Sequence, residues 1–161
     1  ILGPLTTKQR LDGVEKLVET TKKEGGKVLY GGKKPANFNK GYYFEPTIFD
    51  DVQDDFTIMK QEPFGPLVPM LSFKTFDEVI ERANNNDLGL CSYIYTTDLK
   101  KAHKASELME TGCVAVNTAA VAVAEAPFGG IKQTGYGREG GSMAIKDYLN
   151  IKYTHFGTSY E

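Results

Sequence analysis

The chain has 161 residues, of which 40% are hydrophobic and 25% are charged, a composition typical of a folded globular protein. Its 19 basic and 21 acidic residues nearly cancel and form no long run of one sign, so the charge pattern does not favour binding to nucleic acid or to a membrane surface. No apolar run approaches the roughly 20 residues that a membrane span requires, and we expect a cytoplasmic protein.

The first predicted element is an amphipathic helix close to the start of the chain. Thr6 or Thr7 can cap its N-terminus, and Gly25 with the following glycine ends it. Its apolar positions recur at helical spacing, namely Leu11, Val14, Leu17 and Val18. Residues 28–30 and 42–44 are rich in β-formers between turn residues, which predicts two short strands.

The middle of the chain alternates between predicted strands and helices. Apolar strands are predicted at 67–73, 91–95 and 113–116. Amphipathic helices are predicted from Phe76 and from Leu99, the second capped by Asp98. Strands joined by short helical connections are typical of right-handed crossovers, so the predicted fold class is α/β, with an open parallel sheet and crossover helices.

Glycine dominates the chain after residue 126. Residues 135–140 match the GxGxxG pattern of dinucleotide-binding turns, but such a turn must follow a strand directly and open a long helix, so we interpret these glycines as tight turns. A short helix capped by Ser142 is predicted through Tyr148, and residues 151–156 alternate like an edge strand.

The cysteine and histidine residues give no sign of a reactive or metal-binding cluster. Cys91 and Cys113 are far apart in sequence and each begins an apolar strand, which favours buried structural thiols over a nucleophile. His103 and His155 have no partner visible in the sequence. We therefore expect no metal site.

The segment Glu62-Pro63-Phe64-Gly65-Pro66 is the strongest candidate for a ligand site. It places a carboxylate in a rigid turn directly before a buried strand, and open α/β sheets tend to bind ligands at such edges. The carboxylate of Glu62 could accept hydrogen bonds from vicinal sugar hydroxyls, or it could be a solvated loop acid. Residue chemistry alone leaves both interpretations open.

Two motifs carry a resemblance to a known family. Residues 62–66 resemble the E-x-F-G-P motif of aldehyde dehydrogenases, and residues 126–139 resemble their PFGGxKxSGxGRE signature, in the same order along the chain. Between them, residues 84–90 resemble the AN…yGL stretch of that family, and residues 112–117 resemble its G-x-v-x-vN strand. Over nearly the whole of its length, this chain therefore resembles the C-terminal part of the aldehyde dehydrogenase catalytic region.

The resemblance implies an NAD- or NADP-dependent oxidation of an aldehyde to the carboxylic acid. In the family a cysteine thiolate adds to the carbonyl, hydride leaves to the nicotinamide, and water hydrolyses the thioester. The family's nucleophile, base and oxyanion groups all match segments upstream of residue 1, so no catalytic residue is expected here, and neither Cys91 nor Cys113 matches the nucleophile. The chain begins at Ile1 without methionine, and we expect a piece of a longer protein that is inactive when isolated.

Positions in the chain can be matched to binding roles in the family. Glu62 matches the glutamate that holds the nicotinamide ribose, Phe64 matches a phenylalanine near the nicotinamide, and Leu90 matches a leucine that approaches the cofactor. Phe128 matches an aromatic residue of the aldehyde tunnel, and residues 118–125 match the loop at its mouth. The matches at Asn117, Gly129 and Gly130 imply structural roles.

The C-terminal region most resembles succinate-semialdehyde dehydrogenases, in residues 135–141 and 145–149. Those enzymes place a serine that helps to hold the substrate carboxylate where this chain has Ala122. Because Val121 and Val123 flank it, a less polar aldehyde is an alternative to succinate semialdehyde.

The resemblance also predicts how the chain is divided and what it binds. Residues 1–149 correspond to the C-terminal part of the catalytic region, and residues 150–161 correspond to an oligomerisation strand or tail. The expected partners are a small-molecule aldehyde, the rest of the parent chain and identical subunits in a dimer or tetramer. The competing hypothesis is a non-catalytic α/β module that keeps the fold for assembly or regulation.

Overall fold

The computed structural model describes residues 2–38 and 40–157 and divides into two compact units, Ile1–Thr75 and Phe76–Glu161. Each unit contains both helices and strands, and each contains a parallel strand pair. The predicted α/β class is therefore confirmed.

The first unit opens with helix α1, Lys8–Glu24. The hydroxyl of Thr7 accepts a hydrogen bond from the backbone N–H of Arg10 at 3.1 Å, which satisfies one of the free donors of the first turn. Gly25 ends the helix with a φ of 110°, a left-handed conformation that glycine adopts without steric cost. Both predicted ends of this helix are confirmed.

A three-stranded sheet completes the first unit. Its strands are β1, Lys27–Tyr30, β2, Thr47–Asp50, and β3, Leu67–Pro69. Strand β2 lies between the other two, antiparallel to β1 and parallel to β3. A short helix, α2, Thr57–Lys60, lies between β2 and β3 in sequence.

The strand predicted at residues 42–44 was wrong, because the strand in this region begins at Thr47. Phe44 is only 8% exposed, and the ring of Tyr43 stacks on that of Phe38 with 4.3 Å between centroids. These aromatic side chains pack against neighbouring residues, but their backbone does not pair with another strand. The prediction was wrong because β-propensity reflects side-chain packing and burial as much as strand pairing.

The apolar face of α1 packs on this sheet to form the core of the first unit. Phe49 is fully buried and Val18 is 1% exposed. The other buried members of the cluster are Leu11, Val14, Leu17, Phe44, Val52, Ile58 and Leu67. The four α1 positions predicted to be apolar and buried are thus confirmed.

The second unit contains the predicted strand–helix–strand crossover. Strand β5, Cys91–Ile94, is followed by helix α4, Leu99–Leu108, and by strand β6, Cys113–Val116, which is parallel to β5. Asp98 caps α4 by accepting hydrogen bonds from two backbone N–H groups at 2.9 and 3.1 Å. Helix α3, Phe76–Asn84, precedes this crossover.

The apolar residues Leu99, Ala102 and Leu108 predict one face of α4, and of these three only Ala102 is buried. Leu99 is 72% exposed and Leu108 is 42% exposed, whereas Ala102 and Ala105 are buried. Small side chains allow a helix to approach a sheet closely, so the alanines mark the packed face of this helix.

A second strand pair in this unit was not predicted. It joins β4, Leu88–Gly89, to β7, Ile131–Lys132, in antiparallel orientation. A 3₁₀ helix, Ala144–Tyr148, stands where a helix was expected, but it follows Met143 and is not capped by Ser142. Residues 151–157 are exposed and have no helix or strand assignment, so the predicted edge strand is absent from this part of the single chain, and its oligomeric role stays a prediction.

Among the helices of residues 2–38 and 40–157, none has the length and apolar character needed to cross a bilayer.

Candidate functional site

The E-P-F-G-P turn is held rigidly between two strands of the first unit. The backbone N–H of Gly65 donates to the carbonyl of Pro63 at 2.7 Å, and that of Leu67 donates to the carbonyl of Gly65 at 2.9 Å. The N–H of Thr47 donates to the carbonyl of Pro66 at 2.8 Å and so ties the turn to β2. These bonds fix the backbone directly before β3, which is shorter than the buried strand predicted at 67–73 and is buried only at Leu67.

Gly65 is required because the turn passes close to helix α1. A Cβ atom built on Gly65 would lie 2.6 Å from Cγ2 of Val14, closer than real Cβ atoms approach their neighbours. Val14 is 4% exposed and belongs to the core. The glycine of the motif therefore brings the turn against the start of α1.

Glu62 and Phe64 project from this turn into solvent within their unit. Glu62 is exposed, and the ring of Phe64 is 63% exposed. The guanidinium carbon of Arg10 lies 5.4 Å from the centroid of that ring, within the range of a cation–π contact. Sequence reasoning missed Arg10, because only the fold brings α1 and the turn together.

The turn and the first two turns of α1 line a concavity of about 400 Å³. Its polar and aromatic side chains include Thr7, Gln9, Arg10, Glu62 and Phe64. A carboxylate acceptor, a cation and an aromatic face in one concave surface suit a ligand that combines hydroxyls, anionic groups and a flat ring.

A larger concavity of about 610 Å³ also includes Phe64 in its wall. Its described lining includes Leu2–Leu5, Phe44 and Pro66, and it contains no carboxylate among the described residues. We regard the smaller concavity as the better candidate, because polar groups that converge on one point give a site its specificity.

Leu90, the third residue matched to the cofactor, lies in the second unit. It is half-buried between β4 and β5, and its carbonyl accepts a hydrogen bond from the N–H of Cys113 at 3.0 Å. Its backbone is therefore part of the β5–β6 ladder.

The two halves of the glycine-rich signature are bound to each other. Phe128 and Glu139 form an antiparallel bridge in which each backbone N–H donates to the other carbonyl at 2.7 Å. A Cβ atom on Gly129 would lie 2.6 Å from the carbonyl oxygen of Gly137, so only glycine fits there. The half-buried side chain of Phe128 is thereby presented from a rigid double turn.

The side chain of Arg138 links the two halves of the glycine-rich signature through hydrogen bonds. Its Nη1 donates to the carbonyl of Gly130 at 2.9 Å and to that of Gly137 at 2.7 Å. Its backbone N–H donates to Oδ2 of Asp147 at 3.0 Å, which ties the signature to the 3₁₀ helix. Sequence reasoning gave this arginine no role, although its charge within a glycine-rich loop was a usable signal.

Lys132 and Asn84 join the signature to the ends of helices α3 and α4. Nζ of Lys132 donates to the carbonyl of Asn84 at 2.7 Å and forms an ion pair with Glu110 at 2.7 Å. The amide of Asn84 accepts from the N–H of Glu110 and donates to the carbonyl of Leu108, both at 2.8 Å. These motif residues therefore tie the signature to the helices of the second unit.

Asn117 closes the end of the β5–β6 pair. Its side-chain amide accepts from the N–H of Thr96 and donates to the carbonyl of Thr96, both at 2.9 Å. The residue has a φ of 57°, a left-handed conformation that asparagine tolerates better than most residues. This geometry supports the structural role expected for Asn117.

Residues 118–125 form an exposed loop after β6. Ala122 is exposed and Val123 is 51% exposed, so this stretch presents methyl groups. The N–H of Gly141 donates to the carbonyl of Ala124 at 2.9 Å and holds the far end of the loop against the signature.

Cys91 and Cys113 are direct partners in the parallel register of β5 and β6, which their separation in sequence had concealed. Both are free thiols and both are half-buried. Burial raises the pKa of Cys91, and the neighbouring Cys113 thiol raises it further. A raised pKa lowers the thiolate fraction at neutral pH, which argues against Cys91 as a nucleophile.

The glycines of residues 135–140 supply turns instead of a dinucleotide-binding loop. Strand β7 ends before them at Lys132, and the element that follows is the five-residue 3₁₀ helix. Gly135, Gly137 and Gly140 have φ values of 116°, 84° and 68°, which other residues adopt only at a cost. In the part of the chain that the structure describes, no group of three or more His, Cys, Asp or Glu side chains is placed to hold a metal ion.

These features define an α/β protein in which two sequence signatures each form a rigid turn that presents an aromatic side chain. The aldehyde dehydrogenase family model matches residues 1–154, and the chain belongs to that family. The predicted family membership is confirmed.

Named relatives show the same similarity over nearly the whole chain. A chloroplastic betaine aldehyde dehydrogenase of Atriplex hortensis is 42% identical over 151 residues, which cover 94% of this chain and 30% of that protein. The structure of an aldehyde dehydrogenase from Bacillus cereus in complex with NAD+ matches with a TM-score of 0.90 and 44% identity, over 94% of this chain and 30% of that one. A succinate-semialdehyde dehydrogenase from Burkholderia pseudomallei matches with a TM-score of 0.89 and 37% identity, over 95% and 31%. The chain thus spans about 30% of the length of the relatives it matches.

Proposed function

We propose that this chain is the C-terminal part of an NAD(P)-dependent aldehyde dehydrogenase that converts an aldehyde and water to the carboxylic acid. The observation that carries the proposal is the fixed turn of residues 62–66, which presents Glu62 and Phe64 at a concavity in a chain of this family. The bound nicotinamide supplies the hydride acceptor. The thiol nucleophile, the base and the oxyanion donors come from the rest of the parent protein.

Within that reaction, the first unit holds the cofactor. The carboxylate of Glu62 accepts hydrogen bonds from the two ribose hydroxyls next to the nicotinamide, because a carboxylate can accept from both at once. The ring of Phe64 packs near the nicotinamide end, and Arg10 restrains that ring through the contact at 5.4 Å. A cofactor fixed in this way is poised for hydride transfer, since small misplacements are costly.

Residues of the second unit are assigned to the aldehyde and to one further cofactor contact. Phe128 lines the path of the aldehyde, and Leu90 provides a further apolar contact for the cofactor. Ala122 and the valines beside it shape the mouth of that path without a hydroxyl donor, which favours a less polar aldehyde over succinate semialdehyde. We further propose that the parent is a cytoplasmic homo-oligomer, and the exposed apolar side chains of the tail support its assembly into oligomers.

A cofactor-reduction assay tests this function. The intact parent protein should reduce NAD+ or NADP+ when given an aldehyde, with one carboxylic acid formed per reduced cofactor. Betaine aldehyde, succinate semialdehyde and an uncharged aliphatic aldehyde form the substrate panel, and the chain of residues 1–161 alone is the matched control, which should show no turnover.

Two results would count against the proposal. Aldehyde oxidation by residues 1–161 alone would place the nucleophile within this chain. Cofactor binding by the intact protein without reduction by any aldehyde of the panel would favour the non-catalytic module.

A further inference from the structure

Two free cysteines face each other across neighbouring strands of the second unit. Cys91 and Cys113 are Cα partners in the parallel β5–β6 register. Register partners in a parallel pair project to the same face of the sheet. The neighbouring thiol of Cys113 also helps to raise the pKa of Cys91.

We propose that Cys91 and Cys113 form an oxidisable thiol pair that closes into a reversible disulfide between β5 and β6. The proposal is independent of the aldehyde chemistry, since it rests on strand register. It assigns a modification site to two residues that the proposed reaction does not use.

The backbone distance suits such a bridge. Neighbouring strands lie about 4.8 Å apart, and disulfides join Cα atoms separated by roughly 4.4 to 6.8 Å. The register at this point is fixed by the hydrogen bond from the N–H of Cys113 to the carbonyl of Leu90 at 3.0 Å. The far end of the strand pair is closed by the bond from the N–H of Asn117 to the carbonyl of Ile94 at 2.8 Å. The two cysteines therefore need no strand slippage to meet.

The side-chain environment of Cys113 adds a further restraint. Its Sγ donates to the carbonyl oxygen of Gly129 at 3.7 Å, within the range for a sulfur donor. Both thiols are half-buried within their unit, which limits the approach of thiols from other proteins. These conditions favour a bridge within the pair over mixed disulfides.

Hydrogen peroxide serves as the two-electron oxidant. The thiolate of Cys113 attacks one peroxide oxygen, the O–O bond breaks, and hydroxide leaves a sulfenic acid on Cys113. The sulfur of Cys91 then attacks the sulfenic sulfur, the S–S bond forms, and the sulfenic oxygen leaves as water with the remaining proton. Two thiols and one peroxide thus give one disulfide and two waters.

Peptide mapping of the intact protein tests the proposal. The folded protein is treated with hydrogen peroxide, remaining thiols are blocked with N-ethylmaleimide, and the protein is digested with trypsin. Cleavage at Arg82, Lys100, Lys104 and Lys132 places one cysteine in the peptide of residues 83–100 and the other in that of residues 105–132. We expect these two peptides to appear joined, with a mass lower by two hydrogens than their sum, and to separate after treatment with dithiothreitol.

Two controls show that the native register is responsible. The same oxidation in concentrated urea should join the peptides at least about tenfold more slowly, because unfolding removes the proximity of the thiols. The substitution Cys91→Ser should leave a sulfenic acid on Cys113, which dimedone traps on the peptide of residues 105–132.

The proposal is overturned if the folded protein yields both cysteine peptides separately, each blocked by N-ethylmaleimide or each joined to other cysteines. It is equally overturned if the bridge forms faster in urea than in the folded protein. Both outcomes are read from the unsubstituted protein, so they do not depend on whether the Cys91→Ser variant folds.

Discussion

Glu62, Phe64 and Arg10 show how three side chains from distant parts of the sequence reach one concave surface. The turn of residues 62–66 fixes the first two, and helix α1 brings Arg10 to within 5.4 Å of the Phe64 ring. Backbone hydrogen bonds hold the turn, and the side chain of Glu62 is exposed on it. Its carboxylate is thus available for a ligand.

The substitution Glu62→Gln should leave the fold intact and lower the turnover of the parent enzyme at least about tenfold. An amide replaces one charged acceptor, and a hydrogen bond to a charged group contributes roughly 1.5 to 3 kcal/mol. Steady-state kinetics at saturating aldehyde measure the effect. Glu19→Gln on the exposed face of α1 is the matched control and should change turnover little, because its ion pair with Lys22 is exposed. Equal kinetics for the Glu62 variant and the unsubstituted enzyme would make Glu62 a solvated loop acid.

Ala122 is the residue that bears on the choice of aldehyde. The substitution Ala122→Ser adds a hydroxyl donor to the loop of residues 118–125, and a hydrogen bond to a carboxylate favours an anionic substrate. We expect kcat/KM for succinate semialdehyde to rise roughly tenfold relative to an uncharged aldehyde. Competition between the two aldehydes measures that ratio. A ratio that does not move would show that residue 122 does not face the substrate.

The sequence predicted single residues well where a motif had a local cause. Gly25 and Asp98 were recognised as helix boundaries because capping depends on a few neighbouring atoms. Arg138 was given no role although it lies within the glycine-rich loop that it holds. Arg10 was missed because its contact joins segments that only the fold brings together. The pairing of Cys91 with Cys113 was missed for the same reason, because the register between two strands cannot be predicted from the sequence of either strand alone.

Among the elements, the β5–α4–β6 crossover is the one that the sequence predicted most completely. Its strands, its connecting helix and the parallel orientation were all expected. The buried face of α4 was expected only in part, because Ala102 was among the predicted apolar residues but Ala105 was not, and Leu99 is exposed. In the first unit a strand was predicted at the aromatic residues 42–44, whereas the observed strand is Thr47–Asp50. The two-residue strands β4 and β7 are too short to leave a periodic pattern.

The two hydrogen bonds of Asn117 at the end of the β5–β6 pair give a prediction about the stability of this element. Asn117→Ala removes both hydrogen bonds to Thr96 and places alanine at a φ of 57°. The free energy of unfolding should fall by about 1 to 3 kcal/mol. Asn117→Asp, which keeps the acceptor but loses the donor, should lose less. Denaturant unfolding of the intact protein measures both, and Thr97→Ala at the neighbouring exposed position is the control. The prediction fails if Asn117→Ala is as stable as the control.

At the scale of the whole molecule, the C-terminal tail, residues 151–157, exposes apolar side chains that nothing in its own unit covers. Ile151, Tyr153 and Phe156 are 101%, 85% and 83% exposed, and residues 151–157 form neither helix nor strand. Apolar side chains at this density are typical of a segment that is covered in an assembly. The rest of the predicted tail, residues 158–161, lies outside the described residues.

Deletion of the parent protein after Asn150 should therefore weaken its dimer or tetramer. Removal of the alternating apolar side chains takes away the contact that the neighbouring subunit would cover. Size-exclusion chromatography with light scattering on the parent, with and without the residues that follow Asn150, measures the mass. Identical masses at all concentrations would show that the tail has no part in assembly.

In the proposed enzyme this chain contributes cofactor-binding and aldehyde-binding residues, while the nucleophile lies elsewhere in the parent protein. The most direct test is the turnover of the intact enzyme with both Cys91→Ala and Cys113→Ala. We predict turnover within about twofold of the unsubstituted enzyme, with the same inactivation by iodoacetamide, because neither thiol touches the reacting aldehyde and a small buried thiol is readily replaced by alanine. Loss of aldehyde oxidation in a variant that still folds and binds cofactor would contradict this prediction, because the reactive thiol would then lie within this chain.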